Sequence, residues 1–386
     1  MVTKGEIKWL LACASLAAGE GLAAAFPAGA EAWGYFAVAA LLVALVGYGL
    51  ALHSVSCFAL FLVGVAIFFL STRESERRYR ESPWLRGARV RETACAEMSP
   101  VKCDLSRRVG LGLDHARETV VLNRAILLGE RAAIPYATKK AFVESGTIHV
   151  FAISGLHVMI VAKVLMTLVA LVFVPYRLQG VIALVPVWGY VILIGAPPSA
   201  LRAATMASVY FLAPLFLRQS NGLVAWSMAF LALHLLFPAF IVNTGSQLSY
   251  LVMLGILVAG RVTSSSFAVT CAAWAASLPV AAMAFGRITP GGLLANLVLI
   301  AAATGSVAAG ALGVVLSFLS TTLAVHLNNL SALMTDLMVA ISEAVSRLPF
   351  SNVETARWSL LMCLEWYLAF ALVLYLVFRH RTRGIL

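Results

Sequence analysis

The chain has 386 residues, of which 61% are hydrophobic and 12% are charged, and its mean hydropathy is +0.93. This composition excludes an ordinary water-soluble globular protein and indicates an all-α, multi-pass membrane protein. The formal net charge is +11, and residues 146–386 contain eleven Lys and Arg but four Asp and Glu. Such a region lacks the carboxylates of a cation pathway and suits an anion or polyanion, although basic cytoplasmic loops would explain part of the excess.

Three hydrophobic runs open the chain, at about 7–26, 33–52 and 53–70. Runs of about 17–25 apolar residues are long enough to cross a bilayer. Lys4 and Lys8 precede the first run, so we expect the N-terminus in the cytoplasm and residue 71 outside it. The sequence therefore predicts an N-terminal transmembrane region over residues 1–70.

Residues 71–145 form a polar, basic stretch with fifteen Lys and Arg and ten Asp and Glu. We interpret it as a small extracytoplasmic region. Alternating residues within 86–109 predict a β element, helical periodicity from about 114 predicts a helix that stops at Gly129, and 136–146 predicts an amphipathic helix. Cys95 and Cys103 are candidates for a structural disulfide if this stretch faces an oxidising compartment.

Nine hydrophobic segments follow within residues 146–386, the predicted channel domain. They lie at about 150–174, 179–195, 199–217, 222–242, 246–260, 266–285, 291–319, 322–348 and 358–378. Several are short or contain Gly and Pro, and the polar segment 322–348 suits a membrane interface. We therefore predict seven crossings here and about ten in the whole chain, with broken or re-entrant segments between them. The basic residues after 378 should lie in the cytoplasm.

Polar residues interrupt this hydrophobic part at two places of particular interest. The first contains His149, Ser154, Gly155 and His157, and the second places Arg202 after a Pro-Pro pair, with Ser199 as the expected helix cap. Buried polar groups in a bilayer are costly and usually mark a pathway or a site. Helix packing through small residues, or an Arg held at the lipid headgroups, would explain the same residues without a function.

Two further interruptions follow. The one at 243–250 contains Gln247, and the one at 285–296 contains Arg287 and Asn296. Lys163 lies in the first of the nine segments. Each interruption alone is a weak signal. Four of them in one membrane region are typical of the discontinuous helices of transporters and channels.

The order of these motifs resembles the competence domain of the ComEC family of bacterial DNA-uptake channels. The resemblance covers about 115–300. It rests on His-Val-Phe-Ala-Ile-Ser-Gly-Leu-His at 149–157, Gly-Ala-Pro-Pro-Ser-Ala-Leu-Arg at 195–202, Ser-Gln-Leu-Ser-Tyr at 246–250, Phe-Gly at 285–286 and Leu-Ala-Asn at 294–296. It implies a channel that translocates single-stranded DNA into the cytoplasm during natural transformation.

Two features differ from the family pattern. Members often have an external OB-like domain and a terminal metallo-β-lactamase-like domain. Residues 83–113 are short for a five-stranded barrel, so we expect a reduced OB-like element at most. The sequence has no His-x-His-x-Asp-His cluster and no Gly-x4-Gly-Lys-Ser/Thr loop. We therefore expect no metallo-β-lactamase-like domain, metal, cofactor or enzymatic activity, and expect a separate nuclease, with a cytoplasmic motor or strand-binding protein.

The candidate DNA path consists of the polar and small residues of these segments: His149, Ser154, Gly155, His157, Lys163, Arg202, Gln247, Arg287 and Asn296. The expected partners are single-stranded DNA, membrane lipid and possible further copies of the chain. Three alternatives stay open: a transporter of a small anionic solute, a truncated non-conducting relative that acts as an assembly module, and an intramembrane enzyme that uses the Ser/His pair without an orienting carboxylate.

Overall fold

The computed structural model of the chain describes residues 99–113, 116–170 and 175–383. The predicted N-terminal transmembrane region, residues 1–70, lies outside the described residues. Three helices precede the hydrophobic part: α1 (Pro100–Val109), α2 (Arg117–Leu128) and α3 (Tyr136–Glu144). The β element expected within 86–109 is wrong for 100–109, where Ser99 caps a helix with proline at its first turn.

The second helix ends where the sequence predicts its stop. Gly129 follows α2 with a φ of +74°, in the left-handed region that glycine adopts without a steric cost. The amphipathic helix expected at 136–146 corresponds to α3. Cys103 lies in α1 and is disulfide-bonded, whereas Cys271 and Cys363 are free. The predicted pairing with Cys95 lies outside the described residues.

Nine helices follow, one for each predicted hydrophobic segment. They are α4 (Gly155–Ala170), α5 (Tyr176–Leu193), α6 (Pro198–Leu212), α7 (Gly222–Leu236), α8 (Thr244–Val262), α9 (Ser266–Phe285), α10 (Gly291–Leu316), α11 (Thr321–Ser346) and α12 (Leu360–Arg383). Short 3-10 turns occur at Ile148–Val150, Ala213–Phe216 and Pro238–Ile241.

Four stretches among the described residues are long and apolar enough to cross a membrane. These are Pro198–Phe216, Ser266–Phe285, Gly291–Leu316 and Thr321–Ser346. Four further helices of this part of the chain contribute shorter apolar stretches of 10–17 residues, at Gly155–Ala170, Leu178–Leu193, Gly222–Leu236 and Leu361–Phe370. The protein is therefore an α-helical membrane protein, and the total of ten crossings stays a prediction. We expected an interfacial segment at 322–348, but α11 has 26 residues and qualifies as a candidate span.

Helices α10 and α11 form an antiparallel hairpin that runs through the centre of the described fold. Small residues allow the two backbones to approach closely, and a Cβ added to Gly310 would lie 3.2 Å from Ser331 Oγ. Ser306 Oγ lies 3.1 Å from Ser331 Oγ and 2.9 Å from Thr335 Oγ1. The hairpin is thus joined by buried hydroxyl groups as well as by apolar packing.

A short antiparallel ribbon precedes α12, the last helix of the described residues. Strand β1 (Arg287–Ile288) pairs with β2 (Val353–Glu354). Helix α12 then packs on α9, where the Trp366 indole donates to the Ala275 carbonyl at 2.9 Å and the Tyr367 hydroxyl donates to the Ala276 carbonyl at 3.0 Å. These bonds satisfy the polar atoms of two aromatic side chains inside an apolar interface.

Candidate anion site between interrupted helices

The first helix interruption ends in a cap built by Ser154 and His157. Ser154 Oγ accepts a hydrogen bond from the backbone N–H of Leu156 at 3.2 Å, and His157 Nδ1 accepts one from the backbone N–H of Ser154 at 3.2 Å. This reciprocal pattern is that of a capping box with histidine in place of the usual glutamate. Because Nδ1 accepts a backbone proton, the neutral imidazole has its own proton on Nε2.

The Nε2 atom of His157 has no hydrogen-bond partner, although the side chain is only 2% exposed. Ser154 Oγ also lies 2.9 Å from Nδ1, so the hydrogen bonds of Nδ1 are made within the cap. Most buried polar groups are paired, because an unpaired one has lost its hydrogen bonds to water. The capping arrangement therefore holds one buried N–H donor in place without an acceptor.

The second interruption separates α5 from α6. Gly195 and Ala196 have φ angles of +87° and +47°, and α6 then begins with Pro198 at its first position. Ser199 does not cap α6 as expected; its hydroxyl donates to the carbonyl of Ile153 at 2.7 Å. This bond ties the first turn of α6 to the residues just before α4, so the N-terminal ends of the two helices are neighbours.

Arg202 projects from α6 against the start of α4. A Cβ added to Gly155 would lie 2.6 Å from Arg202 Nη2, so the guanidinium occupies space that only glycine leaves open. Its Nη1 atom lies 4.0 Å from Met206 Sδ, and its Cζ atom lies 5.7 Å from the ring centroid of Tyr250. These contacts join α4, α6 and α8 at one guanidinium.

The Arg202 side chain is 5% exposed, and its Nε atom has no hydrogen-bond partner. No carboxylate of the described residues forms an ion pair with it. A buried charge without a counter-ion is unfavourable by several kcal/mol, and a cation–π contact with one ring offsets only part of that. The site therefore has an unmatched positive charge and at least two unpaired N–H donors.

Arg131 and His149 add further basic character near His157 and act on it electrostatically. Both side chains are solvent-accessible, yet the protein around them desolvates them and lowers the pKa of each. Gly129 packs closely against the residues before α4, since a Cβ there would lie 3.0 Å from Ile153 Cδ1.

Other predicted site residues lie elsewhere. Lys163 is exposed on α4, and Gln247 Nε2 donates to the carbonyl of Ile241 at 2.6 Å, which fixes the turn before α8. Arg287 lies 3.9 Å from Glu354 in the ribbon. Asn296 lies in α10, and its Oδ1 atom is buried without a partner. The structure thus joins Ser154 to His157 in one cap, with His149 and Arg131 acting electrostatically on His157, and separately brings Arg202 against Gly155. It shows no contact that joins the remaining four to either pair.

Two contributors to the site were not among the predicted residues. Tyr250 ends the motif at 246–250 and Arg131 lies within the region 115–300 that the resemblance covers, but no local pattern distinguishes either as part of this site. Tyr250 is held by two hydrogen bonds: the Trp226 indole donates to its carbonyl at 3.0 Å, and its hydroxyl donates to the carbonyl of Ala229 at 3.1 Å. Within the described ranges, no group of three or more His, Cys, Asp or Glu could hold a metal ion.

The described fold is that of a helical membrane protein whose interrupted helices enclose basic side chains. A family model described as "Competence protein" matches residues 126–380, which include every residue of the site. The chain belongs to this competence protein family, and the family prediction made from the ordered motifs is confirmed.

One relative is "ComE operon protein 3" of Bacillus subtilis (strain 168), which is 29% identical over 139 residues. The aligned stretch covers 36% of this chain and 18% of that protein. The chain thus spans less than a fifth of the curated relative that it matches. No solved structure matches the chain.

Proposed function

We propose that the chain takes part in DNA uptake during competence as a channel that conducts single-stranded DNA across the bacterial inner membrane. Membership of the competence protein family and the similarity to "ComE operon protein 3" support a role in competence. The observation that carries the proposal is Arg202, a buried cation that has no carboxylate partner among the described residues and lies at the N-terminal ends of two helices. The partner that such a group lacks is an anion.

The electrostatics of the site suit a phosphate chain. Helix N-termini present partial positive charge and unpaired N–H groups to anions. Arg131 and His149, both exposed, add basic character near His157. A strand of DNA binds such surfaces through its phosphates, largely independent of base sequence.

The aromatic residues next to Arg202 pack on one another inside the protein, and we do not expect them to stack with DNA bases. Trp226, Phe230 and Tyr250 are 6%, 7% and 4% exposed, and they pack on one another, with Trp226 and Phe230 stacked at a centroid distance of 5.6 Å. Their burial leaves no free face for a base. We infer that they hold the ring of Tyr250 in position beside Arg202.

The same proposal extends to partners. A channel needs a force on the strand, and a cytoplasmic motor or strand-binding protein would supply it, while a separate nuclease would degrade the other strand. Lipid contacts and further copies of the chain belong to the same proposal. We propose no enzymatic role for Ser154 and His157, because their hydrogen bonds form a helix cap and no carboxylate of the described residues bonds to the imidazole.

A transformation assay tests the function. We expect a deletion strain to bind DNA at its surface but to lose transformation, and Arg202→Gln to reproduce this loss while Arg218→Gln, an exposed arginine, does not. Unchanged transformation in the deletion strain would contradict the proposal. Saturable flux of a small anion through reconstituted protein, with no strand passage, would instead favour a small-solute transporter.

A further inference from the structure

We propose that the outer face of α3, formed by Tyr136, Lys139 and Lys140, is a docking surface for single-stranded DNA. The tyrosine ring stacks on a base, and the two lysines lie beside phosphates. The inference rests on the proposed function, since the ligand would be the strand that the channel conducts. It goes further by assigning the contact to three residues outside the candidate DNA path.

Helical spacing places these three side chains together. Tyr136 is the first residue of α3, and Lys139 and Lys140 follow it by three and four positions, so the three share one side of the helix. Cβ atoms at this spacing are about 5–6 Å apart. One nucleotide can therefore lay its base on the ring while its phosphate lies beside an ammonium group.

The ring of Tyr136 is open to a ligand. All three side chains of the outer face are exposed, and Tyr136 is 81% exposed. This distinguishes it from Trp226, Phe230 and Tyr250, whose rings are buried against one another. Every base has a flat aromatic face, so stacking on an exposed ring tolerates any base sequence.

The opposite side of α3 is fixed in the protein. Thr138, Ala141 and Phe142 are 9%, 9% and 1% exposed, and the ring centroids of Phe142 and Phe151 are 4.6 Å apart. The backbone N–H of Thr147 donates to the Phe142 carbonyl at 2.8 Å. The apolar side of this helix is therefore already used in packing, and the helix presents its outer face in a fixed position.

This arrangement favours a strand over a lipid surface. A helix that lies in a membrane interface buries its apolar side among the lipids. The apolar side of α3 packs on the protein, and its outer face presents only Ala137 and the two lysines around the ring. A polyanion with unpaired bases matches a ring beside cations, whereas a lipid headgroup has no aromatic face to stack on it.

The charge of the surface suits a phosphate chain. Lys140 Nζ lies 3.7 Å from Glu144 Oε1, with the two side chains 59% and 35% exposed. Exposed ion pairs contribute little, so Lys140 can exchange the carboxylate for a phosphate. Lys139 has no ion pair within the described ranges. In the turn before α3, Arg131 adds a positive charge and acts electrostatically on His157.

Strand binding to the purified full-length protein in a nonionic detergent tests the stacked base. The probes are labelled (dT)12 and a strand of the same length made of abasic units. We expect Tyr136→Ala to weaken (dT)12 binding at least about fivefold, as for the loss of one stacked base, and to leave the abasic strand within about twofold. Tyr136→Phe should bind as the wild type does. Tyr210→Ala, at another exposed tyrosine, is the matched control.

The salt dependence of binding tests the two lysines. Each cation that neutralises a phosphate of a single strand contributes about 0.7 to the slope of log K against log salt concentration. We expect Lys139→Gln/Lys140→Gln to make this slope less steep by about 1.4 for both strands. Arg218→Gln, at an exposed arginine after α6, should leave the slope unchanged.

Proteoliposomes that contain brominated phosphatidylglycerol distinguish the strand from the membrane. A bimane probe on Ala137→Cys, an exposed position next to the ring, should respond to (dT)12 and should not be quenched by the lipid. Wild type labelled in parallel gives the background of the native cysteines. Quenching by the lipid without a response to (dT)12 would assign α3 to the membrane surface and overturn the inference.

The outcomes separate the inference from the proposed function. If Arg202→Gln abolishes transformation while Tyr136→Ala and the lysine double variant bind (dT)12 with wild-type affinity and salt slope, the docking surface is wrong and the channel proposal survives. Equal weakening of both strands by Tyr136→Ala would overturn the stacked base. Normal transformation of the deletion strain, together with the expected changes in binding, would overturn the channel and leave the docking surface in place.

Discussion

Thr335 and Asn123 are joined by a 2.6 Å hydrogen bond from Thr335 Oγ1 to Asn123 Oδ1, although 212 residues separate them in the chain. Both side chains are buried, at 1% and 0% exposed. The bond attaches α2, which precedes the hydrophobic part, to the middle of α11. It shows that the helices before the site and the α10–α11 hairpin form one packed unit.

Thr335→Val should destabilise the protein by about 1–3 kcal/mol, since valine has nearly the same shape and leaves the buried Asn123 and Ser306 without this partner. The measurement is thermal or denaturant unfolding in detergent. Thr322→Val is the matched control on an exposed position of the same helix, and we expect it to stay within about 0.5 kcal/mol of wild type. Equal stability of the two variants would contradict a role for the buried bond.

Gly310→Ala should destabilise the α10–α11 hairpin by about 1–3 kcal/mol through overpacking. The new methyl group would overlap Leu127 Cδ1 and approach Ser331 Oγ, so neighbouring side chains must shift. Unfolding in detergent measures the change. Gly260→Ala, where a Cβ meets no atom within 4 Å, should be neutral or slightly stabilising, and a similar loss there would argue against the packing explanation.

Reducing agents should lower the stability of the wild type by about 2–4 kcal/mol, because Cys103 is disulfide-bonded. Cys103→Ser should be less stable without reductant and insensitive to it, whereas Cys271→Ser, at a free cysteine, should respond to reductant as the wild type does. Peptide mapping by mass spectrometry then identifies the partner. We predict Cys95, and a Cys103 peptide linked to another cysteine would contradict the predicted pair.

Glu130→Gln should remove a pH dependence of folding. Burial raises the pKa of Glu130, which nearby Lys102 only partly counteracts. An acid with a raised folded-state pKa stabilises the fold below the unfolded pKa, and this contribution is lost as the pH rises through the folded pKa. Wild-type stability should therefore fall as pH rises above about 4.5, the ordinary value, and unfolding measured across that range should show a shallower decline in Glu130→Gln.

Glu118→Gln removes one negative charge from an exposed position of α2, the helix that Glu130 follows, and serves as the control. If it flattens the pH profile as much as Glu130→Gln does, the effect reflects net charge and not the burial of Glu130.

The sequence by itself determined the class of protein, the family and the nine hydrophobic segments. Apolar length, Gly and Pro positions and the order of short motifs are local properties, so they can be read without a structure. The same locality explains where the expectations failed. The β element expected within 86–109 gives way to a proline-led, capped helix at 100–109, and Ser199 suggested a cap where its hydroxyl bonds to Ile153 instead. The polar residues of 322–348 suggested an interfacial segment where α11 is long enough to span.

Only the tertiary structure decided which polar residues meet. Lys163, Arg202, Arg287 and Asn296 are all polar residues in apolar surroundings in the sequence, yet the structure buries Arg202 against Gly155 and leaves Lys163 exposed. The reason is that burial and charge pairing depend on neighbours from distant helices. Within the part of the chain that the structure describes, Arg202 has no carboxylate partner and His157 Nε2 has no hydrogen-bond partner. No single segment of the sequence reveals either fact.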